Sequence, residues 1–222
     1  MHRPILCLAI MVVLAGTTSA TTLTETPDVG QTLGAAFLLP GGTTQILGAV
    51  STTDADLYRF YWGGGAFYVN SVGSGFDSQL FLFDNAGLGV QGNDDGIAIA
   101  GPAYLQLAAL NAGFYYLGIS GYNLDPFSGA GQMFGSYPWQ TLYGPLDPGG
   151  LSPLDHWAFI NEGAGGQGNI GGAYVINFRT TTDDGTQGDE NPTGDPNAVP
   201  EPATLLLLGS GLAGLLLRKR AA

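Results

Sequence analysis

Residues 76–84 read Phe76-Asp77-Ser78-Gln79-Leu80-Phe81-Leu82-Phe83-Asp84, four large apolar side chains in a row between turn-forming aspartates. The run is too short for a helix and is bounded by Asp77-Ser78 on one side and Asp84-Asn85-Ala86-Gly87 on the other, so it reads as a strand. In a strand, Leu80 and Leu82 point to one face and Phe81 and Phe83 to the other. A strand with two apolar faces is satisfied only when both are covered, so this one is expected in the middle of a sheet.

Working outward, the same texture runs from Thr21 to about Thr180. Short β-branched and aromatic runs (Gln45 to Val50, Asp56 to Trp62, Ala66 to Val72, Gln79 to Asp84, Tyr104 to Leu107, Phe114 to Ser120 and Ala173 to Arg179) alternate with Gly, Asn, Asp and Pro. That spacing predicts an all-β, antiparallel β-sandwich over residues 21–180. Residues 121–165 carry five prolines and few strand signals. They are expected to form a long loop between the last two strands, pinned by Trp139, Trp157 and Phe159. Residues 181–198 have no large apolar side chain and read as a disordered acidic linker.

Charge narrows the function. The 222-residue chain has 18 acids against six Lys and Arg. Arg3 lies at the N-terminus, Arg218, Lys219 and Arg220 lie at the C-terminus, and only Arg59 and Arg179 remain for the body. A surface so acidic repels nucleic acid. With no lysine in the body, P-loop and Schiff-base chemistry are excluded there. Residues 1–20 have the layout of a secretory signal peptide: Arg3, an apolar run from Ile5 to Gly16, and small residues at Thr18-Ser19-Ala20. Cys7 falls inside it, so the exported chain would lack cysteine. At the other end, Ala203 to Leu217 is a 15-residue stretch without charge. As a single C-terminal helix it would be a marginal membrane span, with Arg218, Lys219 and Arg220 held in the cytoplasm as the membrane stop. An ordinary tail anchor has the same physical outline.

The end of the chain, Val199-Pro200-Glu201-Pro202-Ala203, then a Leu/Gly-rich span and Arg218-Lys219-Arg220, closely resembles the PEP-CTERM sorting signal of Gram-negative bacteria. The resemblance implies a substrate of exosortase, a membrane protease of transpeptidase type, that is delivered to the envelope, cell surface or extracellular matrix. It makes Pro200, Glu201 and Pro202 the recognition element of residues 199–222. The body resembles the bacterial pre-peptidase C-terminal domain through Asp54 to Phe60, Phe76 to Asp84, Asn93 to Gly96 and Ala109 to Leu117. That resemblance implies a jelly-roll-like sandwich without catalysis, some of whose relatives bind calcium or matrix polymers.

Candidate chemistry is sparse. His156, in Asp155-His156-Trp157, is the one histidine of the body, too few for a zinc site. No Gly-x-Ser-x-Gly elbow accompanies it. Gly163 to Gly168 matches G-x-G-x-x-G formally, yet a strand rather than a helix follows, so it reads as a hairpin tip. Calcium is the one ion to weigh. Asp77, Asp84, Asn93, Asp94 and Asp95 sit at strand ends in neighbouring turns, and calcium takes six to eight oxygens of these types. The same residues are also ordinary turn formers. The sequence thus points to an exported structural or adhesive module, not an enzyme, with exosortase and an extracellular polysaccharide or matrix polymer as partners. A secreted hydrolase or carbohydrate binder with its site in 121–165 is the alternative.

Overall fold

The computed structural model describes residues 21–96, 101–160 and 170–179, all inside one compact unit, 1–184. Thirteen strands are present among them: β1 (Thr21–Thr24), β2 (Phe37–Leu38), β3 (Thr43–Val50), β4 (Ala55–Trp62), β5 (Gly65–Asn70), β6 (Ser78–Asp84), β7 (Gly89–Asn93), β8 (Tyr104–Leu110), β9 (Gly113–Gly121), β10 (Leu124–Ser128), β11 (Gly131–Gln132), β12 (Leu154–Phe159) and β13 (Gly172–Arg179). One sheet has the order β1-β3-β13-β5-β8 and the other β2-β4-β9-β6-β7. Without the edge strands β1 and β2, the eight remaining strands follow the jelly-roll order, two four-stranded antiparallel sheets wound as a double Greek key. The seven strands expected from the sequence are all among these eight. β7, GVQGN, offers Val90 as its one large apolar side chain, too little to mark a strand by periodicity.

Two features depart from a plain antiparallel sandwich. β1 pairs parallel to β3 and β2 pairs parallel to β4, so the N-terminal segment caps one edge of each sheet. Both edges would otherwise expose unpaired backbone groups. The stretch 121–165 is also not a plain loop: its described part folds into a third sheet, β11-β10-β12. Pro126 inside β10 and the exposed Asp155 and His156 of β12 hid these strands from pattern reading.

The arrangement explains the two apolar faces of β6. Leu80 and Leu82 are fully buried between the sheets with Ile46, Tyr58, Val69, Leu105, Leu117 and Ile176. Phe81 and Phe83 point the other way, into a second cluster with Leu57, Tyr116, Met133, Phe134 and Leu154. The extra sheet and the segment after β11 therefore act as a cover over the outer face of the β2-β4-β9-β6-β7 sheet. Trp157 closes that cover: its ring meets Phe81 and Phe83 edge-on at 5.6 and 6.4 Å, and its indole N–H donates to the Gln31 carbonyl at 2.8 Å. Of the other two expected pins, Trp139 packs edge-on against Tyr137 while Phe159 is largely exposed. As expected, β6 lies inside its sheet, between β9 and β7.

The cover needs close approach at Gly118. A Cβ there would stand 2.8 Å from Trp157 Cη2 and 3.2 Å from Cζ2. Gly118→Ala is expected to lift Trp157 off the sheet and red-shift its fluorescence, while Leu82→Ala should cost about 2–5 kcal/mol in urea unfolding as a core truncation. If Leu82→Ala unfolds at the wild-type urea midpoint, the inner face of β6 is not the centre of the core.

Candidate functional site

β6 and β7 are antiparallel neighbours with Leu80 opposite Asn93, so the residue before β6 and those after β7 lie side by side. This brings Asp77, Asp94 and Asp95 together, with one carboxylate oxygen from each inside a 4.8 Å span. Asp94 and Asp95 are buried. Burial, and secondarily the negative charge of Asp95, pushes the Asp77 carboxyl up to about 6. Asp77 Oδ1 is buried and has no hydrogen-bond partner. Asp95 is held by its own loop, accepting from Gly101 N at 3.1 Å and donating its backbone N–H to the Trp139 carbonyl at 3.0 Å.

The other two sequence candidates serve their own loops. Asp84 ends β6, seven residues after Asp77 and at the opposite end of the strand. Its Oδ1 accepts from Ala86 N and Leu88 N at 2.8 and 2.9 Å, the hydrogen bonding of an Asx-type turn. Asn93 is a loop tie: its amide donates to the Thr141 carbonyl at 3.1 Å and its Oδ1 accepts from Tyr104 N at 3.0 Å. Asp84 is thus not part of the three-carboxylate group, while Asn93, next to Asp94, is engaged in these loop contacts.

A second group escaped the sequence reading. Glu25, Asp28 and Asp56 also bring carboxylate oxygens within 4.8 Å of one another. Asp56 is fully buried on β4, with the same alternation as the core residues Tyr58 and Phe60. Tyr58 donates to Tyr174 at 2.5 Å and Tyr174 donates to Asp56 Oδ2 at 2.5 Å, which joins the two sheets through a polar chain. Glu25 clamps the N-terminal segment over this chain, accepting from Val29 N at 2.8 Å and Ala49 N at 2.9 Å. Burial pushes the Asp56 carboxyl up to about 8, against the Tyr174 hydrogen bond and helped by the charges of Glu25, Asp54 and Asp28. Burial also raises both tyrosines. Asp56 Oδ1 is buried without a hydrogen-bond partner. One signal was legible: in Asp54-x-Asp56 a charged residue occupies a core-facing position of a strand.

His156 and Asp155 form an exposed pair at 3.0 Å on β12, and the imidazole stacks on Phe127 with centroids 5.5 Å apart. Gly163 to Gly168, the span 203–217, Pro200, Glu201, Pro202, Arg218, Lys219 and Arg220 lie outside the described residues.

The geometry thus defines a jelly-roll sandwich with two acidic clusters at its strand ends. Residues 198–221 match the PEP-CTERM protein-sorting motif. The chain carries the exosortase recognition signal and is an exported protein of the cell envelope or extracellular space. Among solved structures it is similar to the pre-peptidase C-terminal domain of a collagenase from Bacillus anthracis, at 11% identity over 72% of this chain and 97% of that chain, with a TM-score of 0.33. The jelly-roll assignment rests on the strand order and not on this loose superposition. No curated protein sequence matches the chain.

The raised carboxyls fix the sign of a pH dependence. Each group keeps its proton in the folded state to a higher pH than when unfolded, so its contribution to stability is fully present below about pH 4 and is lost as pH rises through the folded value. The Asp77 contribution is lost between about pH 4 and 6 and that of Asp56 between about pH 4 and 8. The urea midpoint should therefore fall as pH rises through this window, and Asp56→Asn should flatten the part above pH 6. A midpoint in Asp56→Asn that falls as steeply between pH 6 and 8 as in the wild type would place the charge change elsewhere.

Proposed function

We infer that this protein is a non-catalytic structural or adhesive module of the envelope or extracellular matrix, processed by an exosortase after export. The sorting motif at 198–221 is the observation that carries this reading. The sandwich supports it: both faces of its β6 strand are given over to packing, and its one described histidine is exposed on β12 and belongs to neither carboxylate cluster. The Pro-Glu-Pro element is the protease recognition sequence. Proline at both ends of the element is a residue type that disfavours continuing a helix back from the span. In the native host the surface-located protein should lack the residues beyond about Pro202. Intact-mass measurement that finds the full hydrophobic tail on that protein would leave a plain anchor in place of exosortase processing.

Calcium is the ion this module is built to take. Asp77, Asp94 and Asp95 supply converging hard oxygen ligands, and the unsatisfied Asp77 Oδ1 is one that a cation would use. An ion bound by the folded state alone stabilises it by about 2.7 kcal/mol at a hundredfold excess over its dissociation constant. Millimolar calcium should raise the melting temperature, and a chelator should reverse the rise. Asp94→Asn with Asp95→Asn should abolish it, whereas Asp56→Asn reports on the second cluster separately. Equal melting temperatures with and without calcium, at matched ionic strength, would make the acids turn formers only.

A further inference from the structure

The outer face of the β2-β4-β9-β6-β7 sheet is covered over Leu57, Phe81, Phe83 and Tyr116, but the cover stops short of the C-terminal end of β4. There Leu38, Tyr61 and Phe114 are 56%, 62% and 38% exposed. Strand pairing sets them side by side, with Leu38 opposite Arg59 across β2 and β4, and Tyr61 opposite Phe114 across β4 and β9. The Tyr61 and Phe114 rings meet edge-on at 5.4 Å. Arg59 lies over Phe114, its guanidinium carbon 4.4 Å from the ring centroid and 5.8 Å from that of Tyr116. Its Nη2 donates to Asn85 Oδ1 at 2.8 Å. In a body with so many acids, no carboxylate among the described residues lies within ion-pair distance of Arg59. The cation is held by rings and an amide instead.

We propose that this strip of Leu38, Tyr61, Phe114, Arg59 and Asn85 is a docking surface for a neutral polysaccharide; the proposal rests on the extracellular destination inferred above and gives that module a ligand. The chemistry selects this occupant. Exposed aromatic faces take the C–H faces of pyranose rings, and a guanidinium with a neighbouring amide serves sugar hydroxyls. A chain of net charge −12 repels nucleic acid, anionic lipid, uronate polymers and a second copy of itself. Three exposed apolar side chains are also far short of the roughly 800 Å² per partner of a stable protein interface. A neutral polymer meets none of these obstacles and lies along a strip without needing a deep pocket.

The test is affinity electrophoresis of the full-length protein in mild detergent, through gels holding mixed-linkage β-glucan, galactomannan or dextran, with polygalacturonate as the charged control. At least one neutral polymer should retard the protein, and added salt should not release it, because no ion pair forms. Tyr61→Ala should weaken retardation about tenfold, as for a central aromatic contact, and Arg59→Gln and Leu38→Ser should each weaken it in the same gel. Circular dichroism of each variant should match the wild type, since these side chains are exposed or partly so. The proposal is overturned if no neutral polymer retards the protein, if polygalacturonate alone does, or if Tyr61→Ala binds as tightly as the wild type. A dimer in light scattering that Tyr61→Ala disperses would assign the strip to contacts between copies and also overturn it. A retained tail in the mass measurement would remove exosortase processing without altering retardation, so the two readings fail separately.

Discussion

The architecture depends on the burial of β6 from both sides. Four adjacent large side chains, Leu80 to Phe83, must leave water, and a strand sends them alternately up and down. A two-sheet sandwich covers only one of those faces. The second is covered by the insertion between β9 and β13, through Phe134, Leu154 and Trp157. Each buried Phe or Leu contributes about 1.5–3 kcal/mol relative to an exposed one. An uncovered Phe81-Phe83 face would therefore be both unstable and adhesive. The glycines at 92 and 118 follow from this constraint, since rings of Phe134 and Trp157 occupy the space a side chain would need.

The interior also holds a polar chain, and the N-terminal segment is arranged around it. Tyr58 and Tyr174 come from facing sheets and meet at Asp56, so the hydrogen bonds that satisfy two buried hydroxyls also fix the relative position of the sheets. Glu25 extends the chain to the surface and ties the segment between β1 and β2 to β3. An unpaired buried carboxylate costs much more than a neutral one, so Asp56 holds its proton into the neutral range. The folded state is thus coupled to protons at one sandwich end, and the Asp77 group sets a similar coupling at the start of β6.

Polarity is partitioned by position. Carboxylates gather at strand ends, where loops can turn their oxygens inward, while the exposed aromatic strip around Arg59 lies on the outer face of a sheet. These surfaces suit different ligands. Clustered carboxylates suit a hard cation. The strip suits a neutral, hydroxyl-rich surface, because the chain's charge discourages anionic partners throughout.

The local sequence determined seven of the eight jelly-roll strands, the interior place of β6 and the sorting signal, because each is written in neighbouring residues: a β-branched or aromatic run between turns, or Pro-Glu-Pro beside an uncharged span and a basic end. It also marked Asp77, Asp94 and Asp95 as turn acids with cation chemistry. Tertiary structure alone decided that these three converge while Asp84 and Asn93 serve their own loops, since convergence depends on the β6–β7 register. The group of Glu25, Asp28 and Asp56 is likewise a product of folding: residues up to 31 positions apart meet only when β1 lies along β3 and Tyr174 arrives from the last strand. The third sheet was hidden for a related reason. Its strands are stabilised by covering Phe81 and Phe83, not by a period of their own, and that partnership becomes visible only once the two faces of β6 have been brought against their covers.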